Sequence, residues 1–337
     1  MPVPARRVYR YGFRLVARTG CGRNKKEMTK RMRALGLLML VAVTASAADC
    51  DRACLKNMMT TYLNAVVAQD PSKAPLASNV RFTEDSKDLK PGEGFWKSAT
   101  RLGDYRQDFI DVKEQVVASH ATIDESGKRA LYTARLKVAN GKITEIETLV
   151  THGGERMNGG ANLVVRQGMD VEPPAGQRNT REELVRVADY YPRGLTVGSF
   201  EKVDAPFAKD AFRIENGLVM AGEGCGRGTP SGRPAGGAGT VSATAPQDVA
   251  GCVNIKTQRI IAHPDLTKSV VAVDEEQGTV LLWMNFGDTG TYGAGNALIA
   301  YEAFKVFGGQ MHAVQAFLKI LPKETPRGWG KTLRGNE

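Results

Sequence analysis

Two glutamates stand on segments that otherwise read as apolar strands, and a carboxylate in such a setting is a candidate proton carrier. Glu147 lies in "NGKITEIETLV" and Glu302 in "YEAFKVF". Asn140-Gly141 is a two-residue hairpin signal, because both central positions of that turn need positive φ, and a two-residue turn fixes which residues face each other. That arithmetic sets Tyr132 opposite Leu149, Ala134 opposite Glu147 and Leu136 opposite Glu145. Tyr132, Ala134, Leu136, Val138, Ile143 and Leu149 then share one face with both acids, and Thr133, Arg135, Lys137, Lys142 and Thr144 take the other. Around Gly308-Gly309 the same count pairs Glu302 with Gln315 on the face of Phe304, Val306, Met311 and Phe317. Desolvation on an apolar face raises a carboxyl pKa toward values useful for general acid or base catalysis. Acids that merely emerge into solvent at a sheet rim would give the same pattern.

Partners for such an acid are available. Tyr132, and His120 on "VVASHATI", are candidate proton donors or bases, with Tyr105, Tyr292 and Asn285 as further donors. Trp96, Tyr105, Trp283, Asn285 and Gln315 are the candidate lining of a pocket for an aromatic or polycyclic ligand, and each aromatic ring could equally be core. No HxH or HExxH spacing occurs, so a catalytic metal is not expected. "GEGCGRG" from Gly222 resembles a dinucleotide fingerprint in glycine count only, without strand-to-helix context, and no Gly-x-Ser-x-Gly elbow exists. No cofactor is therefore expected.

The elements that must position these residues occur twice. "APLASNVRFTED" from Ala74 and "APFAKDAFRIEN" from Ala205 align without a gap at an offset of 131. "LKVANGKITEIETLV" from Leu136 aligns to "FKVFGGQMHAVQAFL" from Phe304, and "IDE" from Ile123 is matched to "VDE" from Val273. Repeats in the same order indicate a tandem duplication. Each copy opens with an amphipathic helix, carrying Leu55, Met58, Met59, Tyr62, Leu63 and Val66 in the first and Leu184, Val187, Ala188 and Tyr191 in the second, followed by long strands. Helices first and a meander of strands afterwards indicate an α+β class. The expected domains are 48–152 and 180–322, with a joint at 153–179, a Gly-rich insertion at 224–247 and a tail at 323–337.

The chain has 46 Lys and Arg against 36 Asp and Glu, yet residues 1–47 contain 11 bases and one acid, and the remainder is balanced. A nucleic-acid footprint, which needs a clustered basic face, is not expected. Lys30, Arg31 and Arg33, an apolar run to Val43 and the Ala45-Ser46-Ala47 end describe a secretory signal peptide cleaved near Ala47, too short to anchor in a bilayer. Export to a periplasmic or extracellular space leaves Cys50, Cys54, Cys225 and Cys252, which allow three pairings. Cys50 with Cys54 and Cys225 with Cys252 is the favoured set.

The order of a helix, "NVRFTED" or "DAFRIEN", and a closing "NGKITEIE" hairpin resembles the nuclear-transport-factor-2-like superfamily, which includes ketosteroid isomerase and SnoaL-like, polyketide-cyclase-type proteins. The likeness is greatest to a two-domain fungal and bacterial branch and spans about 50–150 and 180–322. It implies tandem cone-shaped α+β barrels, each a curved antiparallel sheet around a helix, with an apolar cavity used without a cofactor. These are motifs of shape, so no catalytic residue is carried over from them. The resulting expectation is an exported, cofactor-independent lyase or isomerase acting on a hydrophobic small molecule. A non-catalytic binding protein using the same cavity and a dimerising interaction module are the alternatives, and a homo-oligomer is compatible with each.

Overall fold

The computed structural model describes residues 49–153, 155, 169, 171–222, 254–258 and 260–337. The expected leader and the Gly-rich insertion, with Cys225 and Cys252, lie outside these residues, as does part of the joint.

The fold is α+β, built from two helix-and-sheet units. In the first, helix α1 (Arg52–Val67) precedes β1 (Leu76–Glu84), β2 (Lys87–Leu89), β3 (Ala99–Asp111), β4 (Val116–Glu125), β5 (Lys128–Ala139) and β6 (Lys142–Thr151). In the second, α2 (Arg181–Val197) precedes β7 (Phe207–Glu215), β8 (Leu218–Ala221), β9 (Thr267–Asp274), β10 (Thr279–Asn285), β11 (Asn296–Phe307) and β12 (Gln310–Pro322), and a short β13 (Leu333–Arg334) follows. The sheets run β2-β1-β6-β5-β4-β3 and β13-β9-β10-β11-β12-β7-β8. They are mixed rather than wholly antiparallel: β1 lies parallel to β6 and β7 parallel to β12.

Local chemistry starts both helices. The Asp51 side chain caps α1 by accepting from the Cys54 amide, and the expected Cys50–Cys54 disulfide closes that turn. Thr180 and Glu183 form a capping box at α2, which ends at Gly198 with φ of 74°, a left-handed cap that favours glycine. The buried stripe of α1, with Leu55, Met59, Tyr62, Leu63 and Val66, packs on the inner face of the first sheet. Leu184, Val187, Ala188, Tyr191 and Leu195 of α2 do the same in the second.

The outer faces of the two sheets pack on each other, with Phe109, Ala118 and Leu149 meeting Ala272, Leu281, Trp283 and Tyr301. Reciprocal ion pairs frame this contact. Arg52 of α1 donates to Asp274 of β9 at 2.7 and 2.9 Å, and Arg181 of α2 donates to Asp111 of β3 at 2.9 and 2.6 Å. Each aspartate also accepts a backbone amide from the opposite unit, Ile110 to Asp274 and Val273 to Asp111, both at 2.9 Å. Asp111 is thus the counterpart of Asp274. The alignment of Ile123 with Val273 is thereby corrected: Asp124 lies near the end of β4, one strand away from the β3 position that β9 reproduces.

Candidate functional site

The hairpins turn where expected, with positive φ at Asn140 and Gly141 and at Gly308 and Gly309. Their strands, however, each contain a bulge. Val138 pairs with Ile143, but Lys137 pairs with Glu145, leaving Thr144 as an extra residue. In the second unit Val306 pairs with Met311 and Lys305 with Ala313, leaving His312 extra. One extra residue moves every later side chain to the opposite face. Glu147 therefore faces Arg135 instead of Ala134, and Glu302 faces Ala316 instead of Gln315.

The two acids consequently part company. Glu147 lies on the outer face, buried between the sheets, and Arg327 from the C-terminal segment grips it with Nε and Nη2 at 3.1 and 3.0 Å. Arg327 Nη1 also donates to Ser269 Oγ at 2.6 Å. Glu145 is ion-paired with Arg135 at 2.8 Å. Gln315, the structural counterpart of Glu147, turns outward and donates to the Tyr105 hydroxyl.

Glu302 points into the second cone, on the face of Phe304, Val306 and Met311. Helix α2 brings Tyr191 to it and β7 brings Arg213 and Glu215, while Tyr292 approaches from the loop after β10. Arg213 Nη1 donates to the Tyr191 hydroxyl at 3.3 Å, and its Nε lies 3.3 Å from Glu215 Oε1. Glu302, Ala316 and Glu215 occupy one rung of three adjacent strands. The two acids are thus about 10 Å apart at their Cα atoms on a curved inner face, with only a methyl between them. Glu302 is 2% exposed and its Oε2 has no hydrogen-bond partner among the described residues. Burial pushes its carboxyl up to about 8, and nearby Glu215 adds to the rise, while Arg213 and the Tyr191 hydroxyl offset part of it. Glu302 is therefore mostly a neutral acid at pH 7.

The first cone holds a different set. Tyr62 and Tyr132 share a hydrogen bond at 2.8 Å, Trp96 stands edge-on to Tyr62 at 5.5 Å, and Phe95 stacks on Tyr132 at 5.2 Å. Glu84, the counterpart of Glu215, accepts the Phe95 amide and is pushed by burial to about 7. Ala134 occupies the position that Glu302 fills in the second unit, so the cones do not share an acid at that rung.

Of the candidate residues, Tyr132 and Trp96 line the first cone and Glu302 the second. His120, Tyr105, Trp283 and Gln315 lie between the sheets, and Asn285 lines a groove with Trp283. Tyr191, Arg213, Glu215, Tyr62 and Glu84 were not singled out as site residues. The signal for two of them was present, because Glu84 and Glu215 are the glutamate shared by the repeated segments.

His120 faces away from both cones. Its ring stacks on Phe317 at 4.3 Å and meets the edge of Phe109 at 5.2 Å, and neither nitrogen has a partner among the described residues. Burial pushes it down to about 3. A lowered folded value means that the unfolded chain takes up the extra proton first, so stability is present above about 6.5 and is lost as pH falls toward about 3. His263, lowered to about 4, contributes in the same direction. In urea unfolding at about pH 4 and about pH 7, His120→Phe is expected to show a smaller acid loss than the wild type. Identical losses would contradict this account of His120.

Among the described residues no helix is long and apolar enough to cross a membrane, and no group of His, Cys, Asp and Glu could hold a metal. No curated protein matches the chain. Among solved structures, a de novo designed protein with a curved β-sheet is 19% identical, with a TM-score of 0.26, covering 30% of this chain and 88% of its own. An NTF2-like protein of unknown function from Cytophaga hutchinsonii is 15% identical, with a TM-score of 0.24 and coverage of 29% and 88%. A putative ketosteroid isomerase from Kribbella flavida is 14% identical, with a TM-score of 0.25 and coverage of 36% and 94%. The family model described as a domain of unknown function, DUF8021, matches residues 48–150 and 177–318. Both units are included in that match, and the chain belongs to the DUF8021 family.

Proposed function

We propose that this chain is an exported, cofactor-independent enzyme of lyase or isomerase type, with its proton-transfer site in the second cone. The observation that supports this most is Glu302, a buried acid held neutral near pH 7 on one rung with Glu215, which is ion-paired with Arg213. Two carboxyl groups placed in unlike surroundings divide naturally into acid and base. For elimination of water, Glu302 gives its proton to the departing hydroxyl as the carbon–oxygen bond breaks. The Glu215 carboxylate takes a proton from the adjacent carbon as the double bond forms. Water leaves, and proton transfer from Glu215 back to Glu302 resets the pair. Tyr191 and Tyr292 are donors for charge developing on a substrate oxygen. The apolar surroundings of Phe304, Val306 and Met311 suit a hydrophobic substrate.

Small-molecule binding without turnover is favoured for the first cone. One of the Tyr62 and Tyr132 hydroxyls donates to the other, which leaves the second hydroxyl proton and the Trp96 indole N–H as donors among aromatic walls, suited to a carbonyl or phenolic oxygen. The outer sheet faces, which a dimerising module would present to a partner, cover each other within the chain.

The test is a metabolite screen for compounds that raise the melting temperature, since a ligand of the folded state stabilises it, followed by turnover assays of the hits. Glu302→Gln and Glu215→Gln are each expected to lower turnover by about 100-fold or more while still binding the compound. Full activity in both variants would refute the assignment.

A further inference from the structure

Glu302 is 2% exposed, so a substrate reaches it only if part of the wall of the second cone moves. Two core residues of β11, Ala300 and Leu298, separate it from the loop that joins β10 to β11. That loop sends Tyr292 back toward the acid. The Tyr292 ring packs against the core of the cone and lies parallel to His263, with 6.2 Å between ring centres. Its hydroxyl end is buried within the fields of Glu215, Glu302 and Arg213.

The loop is built to move as a piece. None of residues 287–295 is buried. Many of its hydrogen bonds are internal: Asp288 accepts the Gly290 and Gly295 amides at 3.0 and 3.3 Å, the Gly290 carbonyl accepts the Gly293 amide at 3.3 Å, and the Thr289 hydroxyl donates to Thr291 Oγ1 at 2.7 Å. Its two ends are Gly287 and Gly295, with φ of 73° and 77°, which glycine adopts without strain. Those ends are held by the frame, since Asn285 Oδ1 accepts the Gly287 amide at 2.9 Å and the Gly295 carbonyl accepts the Lys323 amide at 3.0 Å. Between the ends, one side-chain ion pair among the described residues fastens the loop to the C-terminal segment. It joins Asp288 to Lys323 at 3.4 Å, and both side chains are partly open to water. A segment with few buried contacts and water-exposed fastenings opens at low cost.

We propose that residues 287–295 form a gate over the second cone, with the Asp288–Lys323 pair as its latch and Tyr292 as the part that seals the acid. The proposal rests on the reading of the second cone as the proton-transfer site. In the closed state Tyr292 stands by the acids, so closure both shuts out water and delivers a donor. Opening lifts Tyr292 away from His263 and admits a substrate past Leu298 and Ala300. Because the latch is a partly exposed ion pair, salt weakens it.

The test uses the full chain and dicyclohexylcarbodiimide, an apolar reagent that couples to protonated carboxyl groups, with labelling of Glu302 followed at neutral pH by peptide mass spectrometry. Glu84 in the first cone, a buried acid raised to about 7, is the internal control. Lys323→Met and Asp288→Asn each break the latch, and asparagine can still accept the Gly290 and Gly295 amides. Each is expected to raise the labelling rate of Glu302 by about two- to fivefold, the range of one exposed ion pair, and the double variant to raise it no further. Glu84 is expected to label at an unchanged rate, which a general loosening of the fold would not allow. High salt is expected to speed Glu302 labelling in the wild type and not in Lys323→Met. The inference is overturned if Glu302 labels equally fast in the wild type and both variants, if it stays unlabelled in all of them, or if the Glu84 rate rises in step. Turnover in Glu302→Gln reads the chemistry separately, so a failed gate leaves the acid assignment standing, and a failed assignment leaves the gate.

Discussion

Glu302→Gln is expected to make the protein more stable at alkaline pH and to leave it unchanged in mild acid. The folded carboxyl is raised to about 8 from an ordinary value of 4.5, so the folded state holds a proton that the unfolded chain releases between those values. Stability is therefore fully present below about 4.5 and is lost as pH rises through about 8. The full difference is on the order of 5 kcal/mol, at about 1.4 kcal/mol per pH unit. Glutamine resembles the protonated acid in shape and carries no charge to desolvate. Glu84, raised to about 7, adds a loss of the same sign in both proteins, so the comparison isolates Glu302. Urea unfolding at about pH 5 and about pH 9 checks this, and equal stability of the two proteins at both values would contradict it. The same substitution is the one expected to stop proton transfer, so the alkaline cost of Glu302 would be stability given up for chemistry.

Arg327→Met is the second large effect. Arg327 and Glu147 form a bidentate pair between the sheets, with side chains 2% and 5% exposed. Removing one member strands a buried charge, at a cost of about 3–5 kcal/mol. The C-terminal segment loses its main fastening too, although the Trp329 indole still donates to Thr83 Oγ1 at 3.0 Å and Arg81 lies 4.1 Å over its ring. Adding Glu147→Gln to Arg327→Met removes the stranded charge and is expected to recover much of the loss, a coupling that a double-mutant cycle measures. A loss below about 1 kcal/mol for Arg327→Met, within the range of exposed pairs, would show that the pair is not sealed between the sheets.

The duplication was legible because its offsets, 131 for the first strand and 168 for the closing hairpin, are each constant without gaps. The turns were legible because asparagine and glycine occupy positions of positive φ. The faces of the closing strands were not, since counting by twos passes silently over a bulge. The clue lies in the apolar spacing. Ile143 and Ile146 are three residues apart, as are Met311 and Val314, and a regular strand cannot place both members of such a pair on one face. Reading that break of parity would have sent Glu147 outward and kept Glu302 inward. Arg213 and Glu215 reach Glu302 through the parallel pairing of β7 with β12, and Arg327 reaches Glu147 across 180 residues. No local pattern records either contact.

The most direct measurement is the titration of Glu302 itself, followed by the carboxyl carbon shift of labelled glutamate and assigned by its absence in Glu302→Gln. A midpoint near 8 is expected, leaving the residue a proton donor at neutral pH. A midpoint near the ordinary value of 4.5 would mean that Glu302 is ionised at neutral pH, and would contradict its role as the acid.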